Sequence, residues 1–159
     1  MELNQNNKKD TRNVNVTEVT IISEHKAFPM RIKSKFKTLK DWLIDICNND
    51  KPEKQIAEYQ FNYYWDESGN YTLFLKGVNC YEERGNDYIT TNERIEFTPS
   101  NMYFKLPKGE YKNLDKKETE EKITSQLKDF LNTEVFKASF FVNANTITTT
   151  YNGEAIWSK

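Results

Sequence analysis

The chain has 159 residues, a formal net charge of −1, and a composition that is 36% hydrophobic and 14% aromatic. That length holds one ordinary domain, with a core built from few but large side chains. The near-zero charge gives no electrostatic reason to expect nucleic acid, and no run approaches the roughly 18 apolar residues of a membrane span.

The charge is unevenly placed. Residues 1–40 carry nine Lys/Arg against four Asp/Glu, residues 41–110 carry seven against thirteen, and residues 111–159 carry seven of each. An acidic middle segment favours a basic partner over an anionic one; the plainer reading is a solvated acidic face. Met1 to Asn13 lacks the apolar core of a secretory signal, so a cytoplasmic location is expected. Cys47 and Cys80 are far apart, in patterned stretches, and read as reduced, buried thiols.

In chain order, residues 1–13 read as a disordered tail and residues 14–159 as a single domain. The β-rich run through Val19–Ile22 predicts a strand, and Met30–Lys33 a second short one. Arg31, Lys33, Lys35 and Lys37 alternate, which fits the solvent side of an edge strand better than a nucleic-acid patch. Thr38 opens a helix as its N-cap, with Asp41 three residues on. Leu39, Trp42, Leu43 and Ile46 form its apolar stripe, and Asn48–Pro52 stops it.

The densest signal is an aromatic hairpin spanning Ala57 to Tyr81. Tyr59, Phe61, Tyr63 and Trp65 alternate with Glu58, Gln60, Asn62 and Tyr64, the period of a strand with one buried face. After a break at Asp66–Asn70, Tyr71–Val78 returns. Pairing Trp65 with Tyr71 sets Tyr63 against Leu73, Phe61 against Leu75 and Tyr59 against Gly77. Gly77 then has a ring over its backbone or a bulge beside it. Glu82–Asp87 reads as a polar loop and Tyr88–Ile89 as the start of an irregular stretch. Arg94–Phe97 and Met102–Leu106 alternate around Thr98–Asn101, predicting a second hairpin with Phe97 against Met102 and Ile95 against Phe104.

Asp115 caps a second helix with Glu118 at its third position, and Ile123, Leu127, Phe130 and Leu131 line one side. Residues 134–142 fit helix and strand equally. Asn152–Gly153 between β-rich runs predicts a terminal hairpin anchored by Trp157. The sum is an α+β fold. A mostly antiparallel β-sheet is built from hairpins, with two amphipathic helices, or three if residues 134–142 coil, packed on one face.

Catalytic chemistry is thinly represented. His25 is the one histidine and lies at a strand end between charged neighbours. With Cys47 and Cys80 it gives three scattered ligands where a structural zinc site needs about four, so no metal and no cofactor is expected. The glycines are isolated and form no phosphate loop. What remains is a surplus of aromatics beyond one inner face. The candidate binding surface is therefore Tyr64, Asp66, Glu67, Phe74, Tyr81, Glu82 and Glu83, an acidic, Tyr-rich patch suited to a basic protein.

The expected function is a non-catalytic, cytosolic protein-binding domain. Its profile is that of a bacterial toxin-neutralising immunity protein or mobile-element inhibitor, a likeness of class rather than of motif. One alternative is a small-ligand-binding or hydrolytic enzyme with a pocket lined by Tyr and carboxylates such as Glu58 or Glu96. Another is a self-associating structural component of a phage or secretion particle. Oligomeric state is left open by the sequence.

Overall fold

The computed structural model describes residues 35–65, 70–149 and 153–159. The expected tail, the strands before residue 34, His25, Asp66, Glu67 and Asn152 lie outside the described residues. Over the described residues the chain forms an α+β domain: a six-stranded, mostly antiparallel mixed sheet with helices against one face. The order across it is β3 (Ile89–Phe97), β2 (Tyr71–Arg84), β1 (Glu58–Trp65), β5 (Thr146–Thr149), β6 (Ala155–Ser158), and β4 (Tyr103–Lys105) also pairs with β2.

Helix α1 is Leu39–Asn49. Thr38 is extended, and its hydroxyl accepts from the Asp41 N–H at 3.0 Å, satisfying one of the helix's orphan donors. Leu39, Trp42, Leu43 and Ile46 are all buried. Strands β1 (Glu58–Trp65) and β2 (Tyr71–Arg84) pair in the register that their alternation predicts, with Trp65 opposite Tyr71, Phe61 opposite Leu75 and Tyr59 opposite Gly77. Tyr59, Phe61, Leu73 and Leu75 point into the core beneath Trp42, which stacks on Phe104 at 5.7 Å.

Gly77 shows both expected features. The Tyr59 ring lies over it and a bulge follows it; a Cβ there would stand 2.9 Å from Ile56 Cγ2 and 3.1 Å from Phe97 Cβ. No side chain larger than hydrogen fits without displacing neighbours.

The second hairpin does not form. Strand β3 (Ile89–Phe97) and strand β4 (Tyr103–Lys105) both pair with β2, one after the other along the same side. Phe97 faces Gly77 and Phe104 faces Leu73, so the two act as one edge strand interrupted by the excursion 98–101. The physical reason is α1. The Ser100 N–H and hydroxyl donate to Asp50 at 2.8 and 2.7 Å, Asn101 donates to Asp45 at 2.9 Å, and the Asn101 carbonyl accepts from the Trp42 indole at 2.7 Å. The turn residues are held by the helix, so the chain steps around them and resumes its course on β2.

After the short α2 (Lys108–Tyr111), α3 (Lys116–Leu131) starts with a full capping box between Asp115 and Glu118. Ile123, Leu127 and Phe130 face the sheet. Residues 134–142 resolve as helical: α4 (Glu134–Lys137), capped by Thr133, and a 3-10 turn (Phe140–Asn143), capped by Ser139. Strand β5 (Thr146–Thr149) then lies parallel to β1, and β6 (Ala155–Ser158) closes the terminal hairpin. Gly153 there has φ +69°, and Trp157 packs edge-on against Phe136 at 5.5 Å. No helix among the described residues is long and apolar enough to cross a membrane.

Candidate functional site

Strand β2 outruns the sheet. Its pairing with β1 ends at Val78, whereas its pairing with β3 continues to Arg84 opposite Ile89. From Asn79 to Arg94 the two strands form a ribbon with no third strand beside it among the described residues. Cys80–Arg84 and Ile89–Thr91 are exposed on both faces. The sequence explains this. Asn79–Arg84 and Ile89–Arg94 lack the apolar alternation that would draw either face onto a core, so only ladder hydrogen bonds and cross-strand pairs hold them.

The tip is residues 85–88. The Gly85 N–H donates to the Tyr88 carbonyl at 2.9 Å, and the Tyr88 ring covers Gly85 so closely that a Cβ would lie 2.1 Å from Tyr88 Cε1. The Tyr88 ring is the exposed end of a flexible side chain and would have to swing aside for any larger residue at position 85.

The root is a polar knot. The Asn79 side-chain oxygen accepts from the Ala57 N–H at 2.7 Å, and its amide nitrogen donates to the Gln55 carbonyl and to Glu96, each at 3.0 Å. Glu96 also accepts from Lys54 at 2.8 Å and from the Tyr81 hydroxyl at 2.5 Å. Hydrogen bonds from Lys54, Tyr81 and Asn79 to its ionised form hold the Glu96 carboxyl down at about 2, and the same bonds push Lys54 and Tyr81 up. The Arg94 guanidinium lies over the Tyr81 ring at 4.9 Å. Tyr81 is thus both 36% exposed and committed to the ribbon's anchorage.

The sequence-predicted residues do not converge on one patch. Tyr64 and Phe74 stack at 5.2 Å on the sheet face turned away from the helices, where Tyr103 adjoins Phe74. Tyr81 and Glu83 lie on the helix-side face of the ribbon and Glu82 on the other, as alternation along β2 requires. Eight residues separate Phe74 from Glu82, roughly 27 Å of strand at about 3.4 Å per residue. Glu82 and Glu83 stand in a strand, opposite Thr91 and Thr90, not in the expected loop. Asp66 and Glu67 lie outside the described residues. What the structure does bring together is Tyr81, Glu82 and Glu83 with side chains that the alternation pattern missed. Tyr88 is 63%, Ile89 56% and Ile95 57% exposed. The signal for the isoleucines was their spacing of six, which places both on one face with only polar residues between them.

Cys80 is exposed and unpaired rather than buried, because it falls on the ribbon; Cys47 is half-buried, and burial pushes its thiol up. Among the described residues no group of three His, Cys, Asp or Glu is placed to hold a metal ion. The carboxylates expected of a ligand pocket serve the scaffold. Glu58 accepts from the Thr148 hydroxyl at 2.6 Å, and Glu96 is pulled down by its partners instead of raised by burial. The aromatic cleft between Trp65, Tyr71 and Tyr111, with a volume of about 190 Å³, contains neither.

No protein-family model matches the chain, and no curated protein and no solved structure matches it.

Proposed function

We propose that the protein is a non-catalytic protein-binding domain that engages a basic protein through the β2–β3 ribbon. One observation carries the reading. Of the five large hydrophobic side chains exposed among the described residues, four (Tyr81, Tyr88, Ile89 and Ile95) are on this ribbon. Residues 78–97 surround them with five carboxylates against two arginines. Aromatic anchors with a charged rim are the usual composition of a protein-recognition surface, and the sign of the rim selects a basic partner and disfavours nucleic-acid phosphate.

Two further features support the reading. A ribbon clear of the core on both faces can enter a partner's cleft without disturbing the domain that carries it. The exposed, unpaired Cys80 fits a reducing compartment, hence a cytoplasmic setting. Neutralisation of a basic toxin or mobile-element enzyme by occlusion is the specific form that this profile favours.

The test is affinity capture from the native host with the wild-type chain and with Glu82→Lys/Glu83→Lys, at rising salt. The expected result is one stoichiometric basic protein, released as salt rises and absent from the charge-reversed capture. Equal recovery by both chains, or a partner indifferent to salt, overturns the ribbon as the interface.

A further inference from the structure

The ribbon also has an edge. Along its outer side β3 has no strand neighbour among the described residues. Of the sheet's outer strands it is the long one, Ile89–Phe97, against three residues in β4 and four in β6. It has no proline and no lysine; its charged residues Glu93, Arg94 and Glu96 are drawn to Lys76, Tyr81 and Lys54, and its bulge lies at the root, beside Gly77–Val78. A strand of this kind presents a row of free N–H and C=O groups to any second strand.

We infer that the occupant is a second copy of the chain, with β3 pairing antiparallel to itself about a two-fold axis through Asn92. The register follows from the side chains. A two-fold axis perpendicular to a sheet pairs residues whose numbers share parity, so the centre must fall on a residue. Centring on Glu93 sets two like charges face to face, which is destabilising. Centring on Thr91 sets each Ile89 against a Glu93. Centring on Asn92 sets Ile89 against the second copy's Ile95, Thr90 against Arg94, Thr91 against Glu93, and Asn92 against itself. Both exposed isoleucines gain an apolar partner, no like charges meet, and two amides face each other at the axis.

The side chains of β3 leave the edge clear. Glu93 accepts from Gln60 at 3.1 Å and lies 3.8 Å from Lys76, on the face turned away from the helices, while Arg94 lies over Tyr81 on the other. The segment 89–95 supplies about seven residues a side, well below the roughly 20–30 of a standard interface, so the dimer forms reversibly and depends on concentration. The pairing shares Ile89 and Ile95 with the proposed partner contact, but it is read on the isolated chain, so its failure and that of the partner contact are distinguishable.

The test is disulfide trapping in the full chain carrying Cys80→Ser. Directly opposed residues across antiparallel strands have Cα atoms about 4.5–5.5 Å apart, within disulfide reach. Asn92→Cys is therefore expected to cross-link with its own copy under mild oxidation. Thr90→Cys, whose copies would stand four residues out of register, is expected to cross-link at least about tenfold more slowly. Mixing Ile89→Cys with Ile95→Cys chains should give the heterodimer in preference to either homodimer. Sedimentation of the unmodified chain should shift toward twice the monomer mass as concentration rises. A monomer at every concentration, or equal cross-linking of Asn92→Cys and Thr90→Cys, overturns the inference.

Discussion

Strand β2 is two structures in one. From Tyr71 to Val78 it runs through the sheet, and Leu73, Leu75 and Val78 are almost wholly buried. From Cys80 to Arg84 it has one strand neighbour among the described residues, and its side chains are exposed on both faces. Backbone geometry is the same in both halves; the surroundings of the side chains differ. The inner half is held by packing, which is costly to alter. The outer half is held by ladder bonds and the knot at Glu96, so most of its side chains are not needed to fill a core.

The sharpest way to break this contrast is to truncate one residue in each half. Leu75→Ala is expected to cost about 2–5 kcal/mol of unfolding free energy, through lost burial and a cavity under Trp42. Ile95→Ala should stay within about 0.5 kcal/mol. Urea unfolding of both variants checks the pair, and similar losses would mean that the ribbon is part of the core. At the junction between the halves, Gly77→Ala must push aside Ile56 and Phe97, for an expected loss of about 1–3 kcal/mol. Away from β2, Asp115→Ala removes the side-chain acceptor of the Glu118 N–H at the start of α3, at an expected cost of about 1 kcal/mol by the same measurement.

The smallest expected effect is confined to the ribbon. The Glu96 carboxyl sits near 2 in the folded chain, below its ordinary value of 4.5. Its contribution is therefore complete above the ordinary value and fades as pH falls toward 2. Amide exchange at Tyr81 and Arg94 should accelerate over that interval relative to Leu73 and Leu75, and Glu96→Gln should flatten the difference. A ribbon indifferent to acid would show that Glu96 is not what secures its root.

The same contrast explains what the sequence disclosed. The register of β1 on β2, the caps at Thr38 and Asp115, and the special position of Gly77 were legible, because each is written in local alternation or in a capping residue at fixed spacing. The ribbon was not. Glu82–Asp87 reads as a loop because pattern reports burial, and a strand open on both faces has none to report. The fate of 94–106 was hidden for another reason. Alternation says which side chains share a face but not which strand they meet, and the deciding contacts, Ser100 on Asp50 and Asn101 on Asp45, span 50 and 56 residues. For residues 134–142 the tie was settled by two short caps, Thr133 and Ser139, that break the stretch into separate turns. Of the candidate residues, Tyr81, Glu82 and Glu83 stand on the ribbon, whereas Tyr64 and Phe74 stack on the sheet face turned away from the helices.

The parallel pairing of β1 with β5 bears on how the chain is made. Thr148 reaches Glu58 across a separation of 90 residues, and the Asn145 N–H donates to the Ala57 carbonyl at 2.8 Å. During synthesis, β1 and β2 leave the ribosome long before β5 exists. Through that interval β1 keeps one flank unsatisfied, with Tyr59 and Phe61 short of their final cover. Closure of the sheet is thus a long-range event that comes late in synthesis, of the kind that slows folding.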